Sequence, residues 1–185
     1  MSEGQRFEAQ VLPHLDAAHN LARWLLRDAR AAEDATQEAA LRAFRYFASL
    51  REGEDAKPWF LGIVRNCCYT ALARQQGRLE ITGLDDSDWD HATHAAATPE
   101  PGPAQRLAAQ RERSAVDAAL RALAPALREV VVLREFEDLD YRAIAQIAGV
   151  PIGTVMSRLS RARTRLKELL TLAGFGQPGA TDLKP

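Results

Sequence analysis

The sequence predicts an all-α protein: two small helical domains joined by a flexible linker, the C-terminal one a helix-turn-helix. Three observations predict it. Along the 185 residues period-2 alternation is nearly absent, while Ala, Leu, Arg, Gln and Glu, all good helix formers, dominate. The composition breaks once, between Gly83 and Pro103, where Asp85, Asp86, Asp88 and Asp90 precede Pro99, Pro101 and Pro103. Such a run sustains neither a helix nor a strand interior. Residues 140–161 then read as two short helices around a tight turn. The expected organisation is a domain at 7–80, an acidic, Pro-rich linker at 81–113, a helix-turn-helix domain at 114–173 and a tail at 174–185. Each domain is near the lower size limit for a self-supporting core.

Within the first domain, Leu15, Ala18, Ala22 and Leu25 form an apolar stripe that predicts a helix over 12–26. A second is expected over 31–49. A third, over 58–76, opens at Pro58, because proline suits the first turn of a helix. In the second domain helices are expected over 105–123, 125–137, 141–148 and 152–172. The run Val130-Val-Val-Leu133 alone would suit a buried strand. Pro125 at its start and the flanking Arg128, Glu129, Arg134 and Glu135 favour a buried helix instead.

Hydrophobic residues make up 46% and charged residues 26%, a globular rather than disordered balance. No apolar stretch approaches a bilayer span, and the N-terminus lacks a basic-then-apolar signal pattern, so a cytoplasmic location is expected. Net charge is −1, so average charge does not announce a nucleic-acid binder and local patches must carry that case. The two cysteines, Cys67 and Cys68, are adjacent; disulfide geometry strains so short a loop, and packing within a helix is the expectation. His91 and His94 have a metal-compatible spacing without further ligands. No phosphate loop and no nucleophile–base pattern is present, so no enzyme, metal site or cofactor is expected.

The sharpest local signal is Asp140-Tyr-Arg-Ala-Ile-Ala-Gln-Ile-Ala-Gly149, continuing through Val150-Pro-Ile-Gly-Thr154 to Arg161. Asp140 suits a helix N-cap, Ala145 is small where a second helix must pass, and Gly149 supplies the positive φ of a tight turn. Val150 and Val155 are placed to fill the angle between the helices. On the second helix Val155, Leu159, Ala162, Leu166, Leu169 and Leu170 share one apolar sector. Thr154, Ser157, Arg158, Arg161 and Arg165 form a separate polar and basic stripe. Such a helix can dock in a major groove, with arginines on guanine edges or phosphates and hydroxyls on either.

The segment Val150-Pro-Ile-Gly-Thr-Val-Met-Ser-Arg-Leu-Ser-Arg-Ala-Arg163 resembles the recognition segment of sigma-70-type factors of the extracytoplasmic-function subgroup. Leu123-Ala-Pro-Ala-Leu-Arg-Glu-Val-Val-Val-Leu-Arg-Glu135 resembles the first helices of the same domain. The resemblance implies that Thr154, Ser157, Arg158, Arg161 and Arg165 read the −35 promoter element. One departure is visible: the family often has a Ser cap answered by Glu three residues on, whereas Ala143 cannot return a hydrogen bond to Asp140.

The first domain resembles the family as well. In Ala32-Glu-Asp-Ala-Thr-Gln-Glu-Ala-Ala-Leu-Arg-Ala-Phe44-Arg, Asp34, Gln37 and Glu38 share one helical face, with Ala35, Ala39, Leu41 and Phe44 making apolar contacts elsewhere. An acidic-polar face suits a basic helical partner. The resemblance implies that this partner is the clamp of the largest subunit of core RNA polymerase. Between Asp55 and Glu80 there is no acid, while Lys57, Arg65, Arg74 and Arg78 are basic, a pattern suited to single-stranded nucleic acid. The resemblance implies that Lys57, Arg65, Asn66 and Arg74 contact the −10 element, with Asn66 at a base and a non-template base flipped out. Trp59 and Phe60 fit core packing at least as well as stacking on a base. Tyr46 and Phe47 are expected to pack. The linker resembles the segment that threads toward the polymerase active centre, where its aspartates would mimic nucleic-acid charge. The implied partners are core RNA polymerase, promoter DNA and an anti-sigma factor. The alternatives are a stand-alone helix-turn-helix regulator on a palindromic operator, or a decoy that only interacts.

Overall fold

The computed structural model describes residues 2–51, 53–82 and 103–175, and among them every regular element is helical. The α-helices are α1 (Glu3–Gln10), α2 (Leu15–Leu26), α3 (Ala29–Tyr46), α4 (Ala56–Thr82), α5 (Pro103–Arg121), α6 (Pro125–Val131), α7 (Tyr141–Ala148) and α8 (Ile152–Leu172). The expected linker aspartates, His91 and His94 lie outside the described residues, as does the tail from residue 176.

Helices α2, α3 and α4 pack on one another to form the N-terminal group. α2 buries Ala18, Leu21, Ala22, Trp24, Leu25 and Leu26. α3 buries Ala32, Ala35, Ala39 and Ala43, a stripe of small residues at three- and four-residue spacing that lets its neighbours approach closely. Phe60, Leu61, Val64 and Cys68 of α4 are all fully buried in the same core. The boundary between α2 and α3 is chemically explicit. Arg27 ends α2 in the left-handed region at φ 59°, and the Asp28 carboxylate accepts from the Ala31 N–H at 2.8 Å, capping α3.

Several expectations shift. Helix α1 was not expected; Ser2 and Gln5 form a reciprocal capping box at its start, and Phe7 seats it on the core edge-on to Phe47, 5.5 Å between centroids. The expected helix over 12–26 begins with a 3₁₀ turn at Leu12–His14. α3 ends three residues early, in a 3₁₀ turn over Phe47–Ser49. Phe47 packs as expected, but Tyr46 is 63% exposed, because the alanine stripe takes the buried face of the helix. α4 opens two residues before Pro58, which still falls in its first turn. α5 begins at Pro103, so residues 103–113 are helical.

In the C-terminal group α6, α7 and α8 surround Val130, Val132, Leu133, Ile144, Val155 and Leu159, each nearly or wholly buried. Residues 130–133 are buried helix, not strand, but the helix widens after Val131. The Glu137 N–H donates to the Val132 carbonyl at 3.2 Å, five residues back, in a π-type turn over Val132–Phe136.

The two groups share a packed seam: α4 lies against α7, and α2 against α6. Across it Trp24 meets Phe136 at 5.6 Å between ring centroids. The Asn20 side chain donates to Glu137 at 2.8 Å, and the Lys57 ammonium pairs with the Glu137 carboxylate at 3.2 Å.

Candidate nucleic-acid interface

The helix-turn-helix forms as the residues dictate. The Asp140 carboxylate accepts from the Ala143 N–H at 2.7 Å and caps α7. Gly149 follows at φ 64°, ψ 36°, the left-handed conformation that turns the chain into α8. Val155, Leu159 and Ala162 are buried, whereas Ser157, Arg161 and Arg165 are exposed and Thr154 is half-buried. The Arg161 Nε donates to the Ser157 carbonyl at 3.3 Å, and Arg165 pairs with Glu168 at 2.9 Å, so both arginines lie along the helix surface. Both contacts are exposed and solvent-screened, so either arginine can exchange its partner for a phosphate.

Arg158 behaves differently. It is half-buried, its buried Nη1 has no hydrogen-bond partner, and its charge reaches Glu129 and Tyr69, so it lies near the seam.

On α4, Asn66 and Arg74 are exposed and border a shallow recess of ≈ 690 Å³, lined also by Tyr69, Thr70 and Ala73. Arg65 and Lys57 are engaged elsewhere. The Arg65 guanidinium donates to the wholly buried Glu129 carboxylate of α6 and stacks over the Tyr69 ring at 4.3 Å. The Tyr69 hydroxyl donates to the other Glu129 oxygen at 3.1 Å. Burial pushes the Glu129 carboxyl above its ordinary value, against the opposing pull of Arg65, Tyr69 and Arg158. Burial and the Glu129 charge push the Tyr69 phenol up to about 12. Phe60 is fully buried and Trp59 packs edge-on to Phe47 at 6.4 Å, so both serve the core here.

On α3, Asp34, Gln37 and Glu38 share an exposed face as the spacing predicts. Glu38 pairs with Arg42 at 2.7 Å and Gln37 reaches Glu33 at 3.5 Å. Leu41 and Phe44 are 57% and 56% exposed, one and two turns along from Gln37. They belong with the polar face rather than with Ala35 and Ala39, giving it an apolar C-terminal end. Phe44 is held edge-on by Phe7 at 5.2 Å.

The three clusters therefore sit on three helices; Arg65 of α4 pairs with Glu129, and Arg158 of α8 lies close enough for its charge to act on the same carboxylate. Sequence reasoning missed Glu129, Tyr69 and Glu137. Only Tyr69 left a signal, four residues after Arg65 on one helical face. Cys67 and Cys68 are buried, and burial pushes the Cys68 thiol up to about 12, which keeps it protonated. Among the described residues no group of His, Cys, Asp or Glu could hold a metal ion, and no helix is long and apolar enough to cross a membrane.

Comparison with known proteins is consistent along the chain. Residues 11–78 match Sigma-70 region 2, and residues 113–166 match Sigma-70, region 4. The ECF RNA polymerase sigma factor SigE of Mycolicibacterium smegmatis is 33% identical over 160 residues, 86% of this chain and 60% of that protein. The RNA polymerase sigma-H factor of Pseudomonas aeruginosa is 29% identical, covering 89% of this chain and 86% of that one. The ECF RNA polymerase sigma factor EcfG of Rhodopseudomonas palustris is 30% identical, covering 82% and 77%. Among solved structures, the sigma factor RpoE of Bartonella quintana, in complex with the anti-sigma factor NepR, superposes with a TM-score of 0.75 at 26% identity, covering 91% of this chain and 98% of that one. CnrH, in complex with the cytosolic domain of CnrY, shares the fold at a TM-score of 0.63 and 21% identity, covering 91% and 90%.

Proposed function

This chain belongs to the extracytoplasmic-function branch of the sigma-70 family of RNA polymerase sigma factors, and from that membership we propose that it binds core RNA polymerase and directs promoter-specific initiation. The observation that carries the reading is the joint occurrence, in order, of the two family regions with a separate exposed polar surface on each. Such a factor makes and breaks no bonds; it supplies recognition to an enzyme that does.

In this reading Asp34, Gln37 and Glu38 meet the clamp of the polymerase's largest subunit, with Leu41 and Phe44 extending the contact at the C-terminal end of that face. A leucine and an aromatic following an acidic-polar stretch fit a helical partner that offers basic and apolar groups in turn. Asn66 and Arg74 lie open for −10 DNA, joined by Lys57 and Arg65 when these leave Glu137 and Glu129. Thr154, Ser157, Arg161 and Arg165 read the −35 duplex, with Arg158 joining once it turns from the seam. Residues 7–80 form the polymerase and −10 module, 81–113 the connection, 114–173 the −35 module and 174–185 a tail. Two modules on one tether make recognition bipartite, so individually weak contacts multiply through effective concentration. The site of action is the cytoplasm. An anti-sigma factor is a partner by analogy with the complex of RpoE and NepR.

The test is reconstitution of the full chain with core polymerase and promoter DNA, scoring specific transcripts. A promoter-dependent start site is expected. Failure to associate with core enzyme, or association without any directed start, overturns the proposal. Arg161→Ala should weaken −35 DNA binding by about 1–3 kcal/mol if it meets a base edge; an unchanged −35 preference removes that assignment.

A further inference from the structure

We propose that the segment running from α6 through the π-type turn is an internal competitor of single-stranded DNA, in which Glu129 and Glu137 occupy the cations Arg65 and Lys57 in the place of phosphates. The inference rests on the assignment of those two cations to −10 DNA made above, and adds that the chain masks them itself. The pairing is matched at two points. Arg65 of α4 pairs with Glu129, and Lys57 of α4 pairs with Glu137 at 3.2 Å. The partners stand in reverse order with the same separation of eight residues on each side, about 12 Å of helix, so the two segments meet antiparallel and in register.

Both acids spend their oxygens on the other group of helices. The Glu129 carboxylate is wholly buried, and the side chains that hydrogen-bond it, Arg65 and Tyr69, both belong to α4. Glu137 presents three oxygens across the seam. Its Oε1 accepts from Asn20 at 2.8 Å, its Oε2 faces the Lys57 ammonium, and its main-chain carbonyl accepts from the same ammonium at 2.9 Å. A carboxylate buried against a neighbouring helix is costly unless that helix supplies the counter-charge, and α4 supplies it at both points.

Carboxylate and phosphate oxygens are alternative acceptors for the same guanidinium and ammonium donors. The masked cations also adjoin the open part of the same surface: Tyr69, which donates to Glu129 at 3.1 Å, lines the recess bordered by Asn66 and Arg74. The chain free of polymerase therefore binds a single strand less tightly than the charges of α4 allow, and a strand gains Arg65 and Lys57 only by displacing Glu129 and Glu137.

The test uses the full-length chain, free of polymerase, and a short fluorescein-labelled single strand of mixed sequence as the probe, followed by anisotropy at fixed ionic strength. Glu129→Gln combined with Glu137→Gln is compared with the parent and with Glu8→Gln combined with Glu112→Gln, which neutralises two exposed acids of α1 and α5 and so matches the change in charge. The seam variant should bind at least about tenfold tighter than the parent, the gain on freeing a site that is open in about one chain of ten. The control variant should gain far less. A seam variant that binds no tighter than the control overturns the proposal. Should Glu129→Gln fail to fold, Glu137→Ala against Glu112→Ala decides, because Glu137 is half-buried at the end of a turn and its side chain lies outside the apolar core; equal affinities again overturn the proposal. Transcription by core polymerase carrying the parent chain, scored in parallel, keeps the two readings apart. Promoter-dependent starts alongside unchanged strand binding refute the competition alone, whereas the absence of such starts refutes the function and with it the role given to the two cations.

Discussion

Arg65→Met removes a guanidinium while keeping the apolar stem, and leaves the Glu129 carboxylate wholly buried without its strongest partner. The Glu129 side chain is 0% exposed and that of Arg65 only 20%, so solvent screening offsets little of the loss. Stranding one member of a buried pair costs about 3–5 kcal/mol. Arg158 also acts on Glu129, and the Tyr69 hydroxyl still donates to it, so the lower end applies, about 3 kcal/mol. With a urea slope of about 2 kcal/mol per molar, the unfolding midpoint should fall by roughly 1.5 M. The loss should depend on pH. Burial already raises the Glu129 pKa in the packed state, so the protonated carboxyl is the form that packing favours. Its contribution is fully present below the ordinary carboxyl pKa and declines as pH rises through the raised value. Removing Arg65 raises that value further. The midpoint deficit should therefore be large at a pH of about 7.5 and shrink as the medium is acidified through the carboxyl range. Trp24, packed on Phe136 across the seam, supplies a fluorescence probe of the contact itself. A deficit under about 1 kcal/mol, or one of equal size at both ends of the pH range, would refute the assignment of Glu129 as a buried, Arg65-dependent anion.

Other substitutions test the local chemistry. Asp140→Ala should cost about 1 kcal/mol by removing the α7 cap, while Asp140→Asn should stay within a few tenths, both read by thermal melting. Gly149→Ala should cost about 1–2 kcal/mol, because the space around it is open and only the positive φ of 64° opposes a Cβ; an unchanged melting curve would show that the turn relaxes. Cross-linking Glu54→Cys to Gln146→Cys with a short bis-maleimide, at a pair whose native side chains meet at 3.5 Å, should trap the seam. Cys68, with its thiol pushed up to about 12, and buried Cys67 should not compete. The trapped protein is expected to bind core polymerase and fail to capture −10 DNA; normal open-complex formation would contradict that.

What the sequence made legible was whatever depends on neighbours within a few residues. Asp140 and Gly149 fix the turn between α7 and α8 because a cap and a left-handed residue act over one helical turn. The acidic face of α3 followed from spacing alone. Tyr46, Leu41 and Phe44 were misplaced because their apolar character suggested burial, yet the alanine stripe had already taken the buried face of α3. Helix α1 carries a capping-box pattern in Ser2 and Gln5, three residues apart, but it buries Phe7 alone, so no apolar period announces it. The seam was not readable. Glu129 meets Arg65 across 64 positions, and Glu137 meets Lys57 across 80, and on a helix each looks like an ordinary flanking charge. Long-range pairing leaves no period in the sequence.

The seam also orders the surfaces. The α3 face is exposed in the packed arrangement, whereas Arg65 and Lys57 are each committed to an acid of the other group and the charge of Arg158 acts on Glu129. A guanidinium that holds a buried carboxylate cannot hold a phosphate at the same time. Under the proposed assignments, engagement of the polymerase through α3 would require no rearrangement of these pairs, while full engagement of DNA through α4 and α8 would require that they be exchanged. Burial works against the Glu129 anion while Arg65, Tyr69 and Arg158 favour it, so opening the seam returns the carboxylate to water and offsets part of the cost of giving up the pair. A well-packed apolar pair at the same place would be harder to part, and would offer the DNA nothing on parting. Under the proposed assignments, parting an ion pair would instead free a cation on the surface where a phosphate is to be met.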